Sequence, residues 1–193
     1  MRVSKRHPRI PAVWLISDQR NDAGLEAALR RLPRGSGLIF RHYHLPPEAR
    51  RRRFCKLARL ARSRGHTVVL GGTMAQARRW GADGAYGSAA VLAPGPAGLR
   101  LVTVHSLAEV ARARRADALL LSPVFATRSH PDAKTLGDAR FHLLAARAQV
   151  PGIALGGMTA ARARTLGAPR WAAIDGLSSA DAMSRTARVS NDS

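Results

Sequence analysis

A single cysteine in 193 residues, Cys55, leaves no partner for an internal disulfide. Set between Phe54 and Leu57 on a helical stretch, it is expected as a small core residue. No apolar run approaches the roughly 18 residues that a membrane span requires, so no membrane partner is expected. The start, "MRVSKRHPRIPAVWLIS", is basic but lacks an apolar stretch of roughly 7–15 residues before a small-residue cleavage site, which predicts a cytoplasmic protein without a secretory signal. Aromatic residues make up 5% of the chain and do not alternate with its basic residues, so a stacking surface for bases is missing. Acids are scarce too, 12 against 32 Lys and Arg, for a formal charge of +20. Clustered, such a charge would suit a phosphate backbone. Lysine, however, appears only at Lys5, Lys56 and Lys134, so arginine supplies 29 of the basic residues, scattered over nearly every polar helix face. We read the excess as solvated surface and expect no nucleic-acid partner. The densest run, "EARRRRFCKLARLARSR" (48–64), has Phe54, Leu57, Leu60 and Ala61 at helical spacing beneath a basic outer face.

Hydrophobic residues are plentiful, at 46%, and the length suits one substantial core. Short apolar runs alternate with amphipathic stretches almost to the end. The spacing predicts strands at 13–17, 37–41, 67–70, 84–87, 99–104, 118–122, 152–156 and 171–175. It predicts helices at 21–32, 47–64, 74–80, 106–115, 138–149, 159–167 and 178–188, with at most a short turn or helix in "SAAVLAPGPAG". The strands are continuously apolar, as in a parallel sheet covered on both faces. Some eight βα units in this length point to a single compact (β/α)8 TIM barrel, with an open doubly wound sheet as the alternative. Residues 1–12 are expected as a basic N-terminal extension, 13–188 as the barrel and 189–193 as a flexible tail.

A barrel gathers its site at the C-terminal ends of its strands. There "GIALGGMTAARARTLGA" offers Gly156-Gly157, where backbone can approach a ligand, and Thr159, which can cap the next helix. A phosphate site or an ordinary strand-to-helix turn would both fit. The loop in "LLLSPVFATRSHPDAK" adds the hydroxyls of Thr127 and Ser129, with Arg128 and either His130 or Lys134 as cations, a donor set that suits phosphate or diphosphate. Arg41, closing the apolar run "GLIF", is expected as a second anion contact. His105, just past a strand in "VTVHS", is either a general acid or base or a residue that caps or packs. None of the seven histidines falls in an HxH, HExxH or HxxxH pair beside carboxylates, so no histidine metal site is predicted, and His42 and His44 are expected at the surface.

Together these stretches resemble the thiamine phosphate synthase and TenI-type barrels over about residues 13 to 177. The resemblance rests on "LISD", "GLIFR", "GADGAYGS", "VTVHSLAEVARARRADALLLSPVFATRSHPDAKTLG" and "PGIALGGM". It implies a synthase that joins a hydroxymethylpyrimidine diphosphate to a thiazole phosphate, with Mg²⁺ assisting the leaving diphosphate. By the same resemblance Arg41 contacts the diphosphate, Thr103 supplies the small hydroxyl residue after the fifth strand, Thr127 and Ser129 match a Thr-x-Thr, and Gly156-Gly157 holds the thiazole phosphate. Asp175 and His105 complete the candidate site.

The family's aspartate after its third strand falls at Gly71-Gly72-Thr73, its second metal carboxylate at Ser88-Ala89-Ala90, its lysine after Thr-x-Thr at His130, and its Glu-Lys pair at His42-Tyr43. The expected cofactor is therefore none held by the usual carboxylates, with Mg²⁺ arriving only as a complex with the diphosphate substrate. Whether Asp18 or Asp175 takes over as a ligand stays open. A small phosphorylated heterocycle is the expected partner. The alternatives are a TenI-like thiazole tautomerase, whose catalytic histidine falls at Pro123, and a non-catalytic barrel that binds a thiamine intermediate.

Overall fold

Eight short parallel strands close on themselves in chain order in the computed structural model, which describes residues 9–127 and 134–177. They are β1 (Val13–Ile16), β2 (Gly37–Phe40), β3 (Thr67–Gly71), β4 (Gly84–Gly87), β5 (Leu99–Val104), β6 (Ala118–Leu121), β7 (Gly152–Leu155) and β8 (Trp171–Ala173). Every neighbouring pair is parallel, and β8 returns to β1 through Val13↔Trp171 and Leu15↔Ala173. The helices between them are α1 (Leu25–Arg31), α2 (Pro47–Ser63), α3 (Met74–Trp80), α4 (Ala89–Leu92), α5 (Leu107–Arg112), α6 (Gly137–Arg147) and α7 (Ala160–Thr165). This is the (β/α)8 barrel expected from the strand pattern, and the open sheet is excluded by closure. The predicted helix at 178–188 and the loop residues Arg128, Ser129 and His130 lie outside the described residues.

The continuous apolar strands follow from two cores separated by one sheet. Trp14, Ile16, Ile39, Val69, Leu101, Leu120 and Ile153 fill the barrel interior, while Leu15, Leu38, Phe40, Val68, Leu70, Val102 and Leu119 alternate with them and pack outward under the helices. Each strand is apolar on both faces because each face meets a core. Trp14 dominates the interior, its indole N–H donating to the Pro11 carbonyl at 2.9 Å. Any side chain on Gly37, paired beside it, would overlap that ring.

The 92–98 loop after α4 is fastened from the sheet. Arg100, buried on β5, donates to the carbonyls of Leu92 (2.9 Å), Pro96 (3.0 Å), Gly95 (3.3 Å) and Gly98 (3.3 Å). A buried guanidinium is tolerated when its donors are satisfied. Here carbonyl dipoles do that work.

Three expectations need correction. The first half of the predicted 21–32 helix is a 3₁₀ turn over Gln19–Gly24 that precedes α1. It is drawn tight by a capping box between Asp18 and Asn21, whose amide also donates to the carbonyls of Ile16 and Ile174. Cys55 is exposed, not core, because α2 buries Phe54, Leu57, Ala58 and Ala61, and one residue past Phe54 the helix has turned about 100° toward its basic face. His42 is buried rather than at the surface. Its chain leaves β2 at Phe40 and turns back with a left-handed φ of 42°, so His42 and His44 share no strand face.

Candidate active site at the barrel mouth

The Gly156-Gly157 turn follows β7 with φ of 98° and 60°, conformations that favour glycine. The loop after β6 hangs on this turn: Val124 N–H donates to the Leu155 carbonyl at 2.8 Å and Phe125 N–H to the Gly156 carbonyl at 3.1 Å. Its base closes where Leu136 N–H reaches the Pro123 carbonyl and Gly137 N–H the Val124 carbonyl. A Cβ on Gly157 would lie 2.5 Å from the Ala126 carbonyl oxygen, so the glycine is what lets these two loops touch. Arg162, one turn into α7, lies 5.0 Å above the Phe125 ring and donates to the Gly157 carbonyl. Thr159 caps α7 as expected, accepting from Arg162 N–H at 3.2 Å.

Two cavities open against this wall. The larger, about 810 Å³, runs between the Gly156-Gly157 turn, Thr159 and Arg162 on one side and Arg20 and Asp175 on the other. The smaller, about 550 Å³, holds Arg41, Tyr86, Thr103, His105 and Lys134. Thr127, Leu155, Gly156 and Ile174 border both. Of the residues singled out from sequence, Arg41, Thr103, His105, Thr127 and Gly156 therefore line the smaller cavity, and Thr127, Gly156, Gly157 and Asp175 the larger.

Arg41 is fixed by an ion pair, its Nη2 lying 2.6 Å from Asp18 Oδ2. Asp18 also accepts from Arg20 Nε at 3.1 Å, and Arg20 reaches on to Asp175 at 3.8 Å. Burial pushes the Asp18 pKa up, but the Arg20 backbone N–H and the Arg41 charge outweigh it and hold the carboxyl below its ordinary value. The backbone around Arg41 is equally held: Ser17 Oγ accepts its N–H at 2.8 Å, and Arg50 Nε donates to its carbonyl at 2.7 Å. His105 is oriented through its ring, since the Nδ1 that faces the Ser122 carbonyl at 2.5 Å must carry the proton. In the neutral imidazole that leaves Nε2 as an acceptor.

The residues present do not fit a resident Mg²⁺. The Gly71 carbonyl accepts from Arg50 Nη2 at 2.6 Å, and the Tyr43 hydroxyl occupies the space where a side chain at position 71 would begin. Gln76 fills the corresponding space beside Gly72. Asp18 and Asp175, the two acids that the sequence left open as substitute ligands, share the guanidinium of Arg20 between them. Among the described residues no three His, Cys, Asp or Glu side chains gather as a metal set.

Sequence reasoning missed Arg162, Arg50 and the Ser17–His42–Asp22 contacts. Arg162 follows Thr159 by three residues, a spacing that marked it as belonging to the same helix start. Arg50 carried no such signal within its run of arginines.

The sequence profile described as thiamine monophosphate synthase matches residues 13–177. A comparison with curated proteins finds no match. Among solved structures, a thiamine phosphate pyrophosphorylase from Pyrococcus furiosus superposes with a TM-score of 0.76 at 22% identity, covering 90% of this chain and 91% of the other. A thiamine phosphate pyrophosphorylase from Bacteroides thetaiotaomicron gives 0.57 at 14% identity, over 86% and 84%. A HpcH/HpaI aldolase/citrate lyase family protein from Burkholderia cenocepacia gives 0.60 at 17%, over 93% of each chain. At these identities the structures speak for the barrel alone. The profile match, which spans most of the sequence, is what assigns the family: the chain belongs to the thiamine phosphate synthase/TenI family.

Proposed function

We propose that the protein joins two phosphorylated partners, transferring a hydroxymethylpyrimidine group from its diphosphate to a thiazole phosphate. The observation that carries this reading is the pair of cavities sharing one wall, each lined by cations and hydroxyl or backbone donors. A single small substrate needs one such space; a transfer between two needs both, with the reacting atoms at the common border. In this reading the diphosphate lies against Arg41 and Lys134, and the thiazole phosphate against Gly156-Gly157, Thr159 and Arg162. Thr103 and Thr127 donate to oxygens near the border, where the C–O bond to the diphosphate breaks as the thiazole nitrogen bonds to the pyrimidine's methylene carbon. The diphosphate leaves with the bonding pair, and guanidinium and ammonium groups balance its charge. Any Mg²⁺ arrives with that substrate.

Calorimetry tests the shared wall. With thiazole phosphate saturating, pyrophosphate should still bind one to one. Mutual exclusion of the two ligands would reduce the mouth to a single site and overturn the transfer reading.

One observation favours a second reading. The His105 tautomer set by the Ser122 carbonyl places an acceptor nitrogen at the smaller cavity, next to the loop position where TenI-type tautomerases carry their histidine. Proton transfer on a thiazole carboxylate would use that Nε2. Loss of isomerisation in His105→Ala, with the transfer reaction absent throughout, would select it.

A further inference from the structure

We infer that Ser17 and His42 are positioning residues that hold Arg41 in the orientation needed to grip an anion, with Asp22 anchoring the pair. The inference rests on the proposed role of Arg41 as an anion contact. Ser17 follows β1 and His42 follows β2, yet their side chains meet, Ser17 Oγ lying 2.8 Å from His42 Nδ1. On the other side of the ring, His42 Nε2 lies 2.8 Å from Asp22 Oδ1. A carboxylate only accepts, so Nε2 carries the proton, Nδ1 accepts from the Ser17 hydroxyl, and the Ser17 oxygen is free to accept the Arg41 backbone N–H. Every donor and acceptor along the chain is then matched. Asp22 is steadied in turn by Arg53, whose Nε donates to it at 2.7 Å.

The order Ser, His, Asp has the look of a hydrolytic triad, but the geometry excludes one. Ser17 is fully buried, and its oxygen already accepts from a backbone amide. No substrate carbonyl can reach it. What the chain of contacts does is local to Arg41. The peptide of Arg41 is gripped at its N–H by Ser17 and at its carbonyl by Arg50, and the next residue, His42, is held at a φ of 42° that a non-glycine residue rarely adopts. The His42 ring stacks on Phe40, centroids 4.8 Å apart and planes 6° apart, which keeps the turn from relaxing. Strain of this kind persists only where its surroundings enforce it, and such places cluster at functional sites. Here the enforced residue adjoins the arginine at the cavity wall.

A double-mutant cycle read by pyrophosphate calorimetry tests this. Ser17→Ala should weaken pyrophosphate binding about tenfold and Arg41→Ala about 10- to 100-fold, the scale of a charge-assisted contact. The double variant should bind no more weakly than Arg41→Ala alone, because the hydroxyl acts only through the arginine. His42→Asn, which tolerates the left-handed backbone but cannot span from Ser17 to Asp22, should repeat the Ser17→Ala loss. Wild-type affinity in both Ser17→Ala and His42→Asn would overturn the inference, as would an equal Ser17→Ala loss in the Arg41→Ala background. Wild-type affinity in Arg41→Ala would instead remove the anion role of Arg41, and the positioning role with it.

Discussion

Replacing Gly157 by alanine isolates what the β7 turn contributes, provided Gly167 is replaced in parallel. Both glycines have similar left-handed backbones, φ 60° and 66°. They differ in what a methyl group would meet. At Gly167 nothing lies within 4 Å, whereas at Gly157 the Cβ would sit 2.5 Å from the Ala126 carbonyl oxygen and 3.0 Å from Phe125 Cβ. Gly167→Ala should therefore cost only the backbone term, about 1–2 kcal/mol. Gly157→Ala should add an overpacking term of about 1–3 kcal/mol, since the obstructing atom is backbone and cannot rotate away. In a domain of this size each kcal/mol lowers Tm by about 2–4 °C, so the two variants are resolvable by thermal melts. The functional readout is sharper. Thiazole phosphate should raise the Tm of wild type and of Gly167→Ala by preferential binding to the native state, and should not raise that of Gly157→Ala, whose displaced 126–127 segment borders both cavities. Equal melting of the two variants, or an undiminished ligand shift in Gly157→Ala, would refute the reasoning.

Three further outcomes are expected. Titrating Mg²⁺ into the ligand-free protein by calorimetry should reveal no stoichiometric site tighter than about 0.1 mM, because the Tyr43 hydroxyl and Gln76 fill the space beside Gly71 and Gly72 where a carboxylate would stand; a tight site would mean another set of acids serves. Arg100→Met should lower stability by about 2–4 kcal/mol in urea unfolding, because the buried Leu92 carbonyl and three part-buried ones lose their donor at once; a change under about 0.5 kcal/mol would show that water replaces it. Acid should destabilise the fold in two stages. Burial lowers the pKa of His42, against the pull of Asp22, and that of His66, so the unfolded chain takes up protons near pH 6.5 that the folded one refuses, and stability falls as pH drops through that range. The second stage belongs to Asp18, Asp22 and Glu26, whose carboxyls are held low, Glu26 to about 2 chiefly by its hydrogen bond from Arg53; their contribution is present above about pH 4.5 and lost on further acidification. A urea midpoint unchanged between about pH 7.5 and 5.5 would contradict the first stage.

The barrel was legible because each strand is buried on both faces and flanked by punctuating loops, and the predicted strands agree with those observed to within two residues at either end. Gly156, Gly157 and Thr159 were legible for a local reason: a glycine pair after an apolar strand and a capping hydroxyl act within a few residues of one another. What escaped notice depends on residues far apart in sequence. His42 read as surface because neither of its hydrogen-bond partners is near it in the chain; its bonds go to Ser17 and Asp22, brought close by the pairing of β1 with β2. Arg50 stood among four consecutive arginines, and only the fold distinguishes it, laying its guanidinium on the carbonyls of Arg41 and Gly71 while Arg51 and Arg52 point to solvent. Cys55 failed for a simpler reason. Phe54 and Leu57 lie within two residues of it and are apolar, but adjacency on a helix is not a shared face.

Incubating the purified protein with hydroxymethylpyrimidine diphosphate and thiazole phosphate, and measuring thiamine phosphate and released diphosphate together, tests the transfer reading most directly. The account predicts both products in equal amounts, at a rate lowered by Arg41→Ala and by Gly157→Ala. No thiamine phosphate from a protein that binds both ligands, with or without added Mg²⁺, would contradict it.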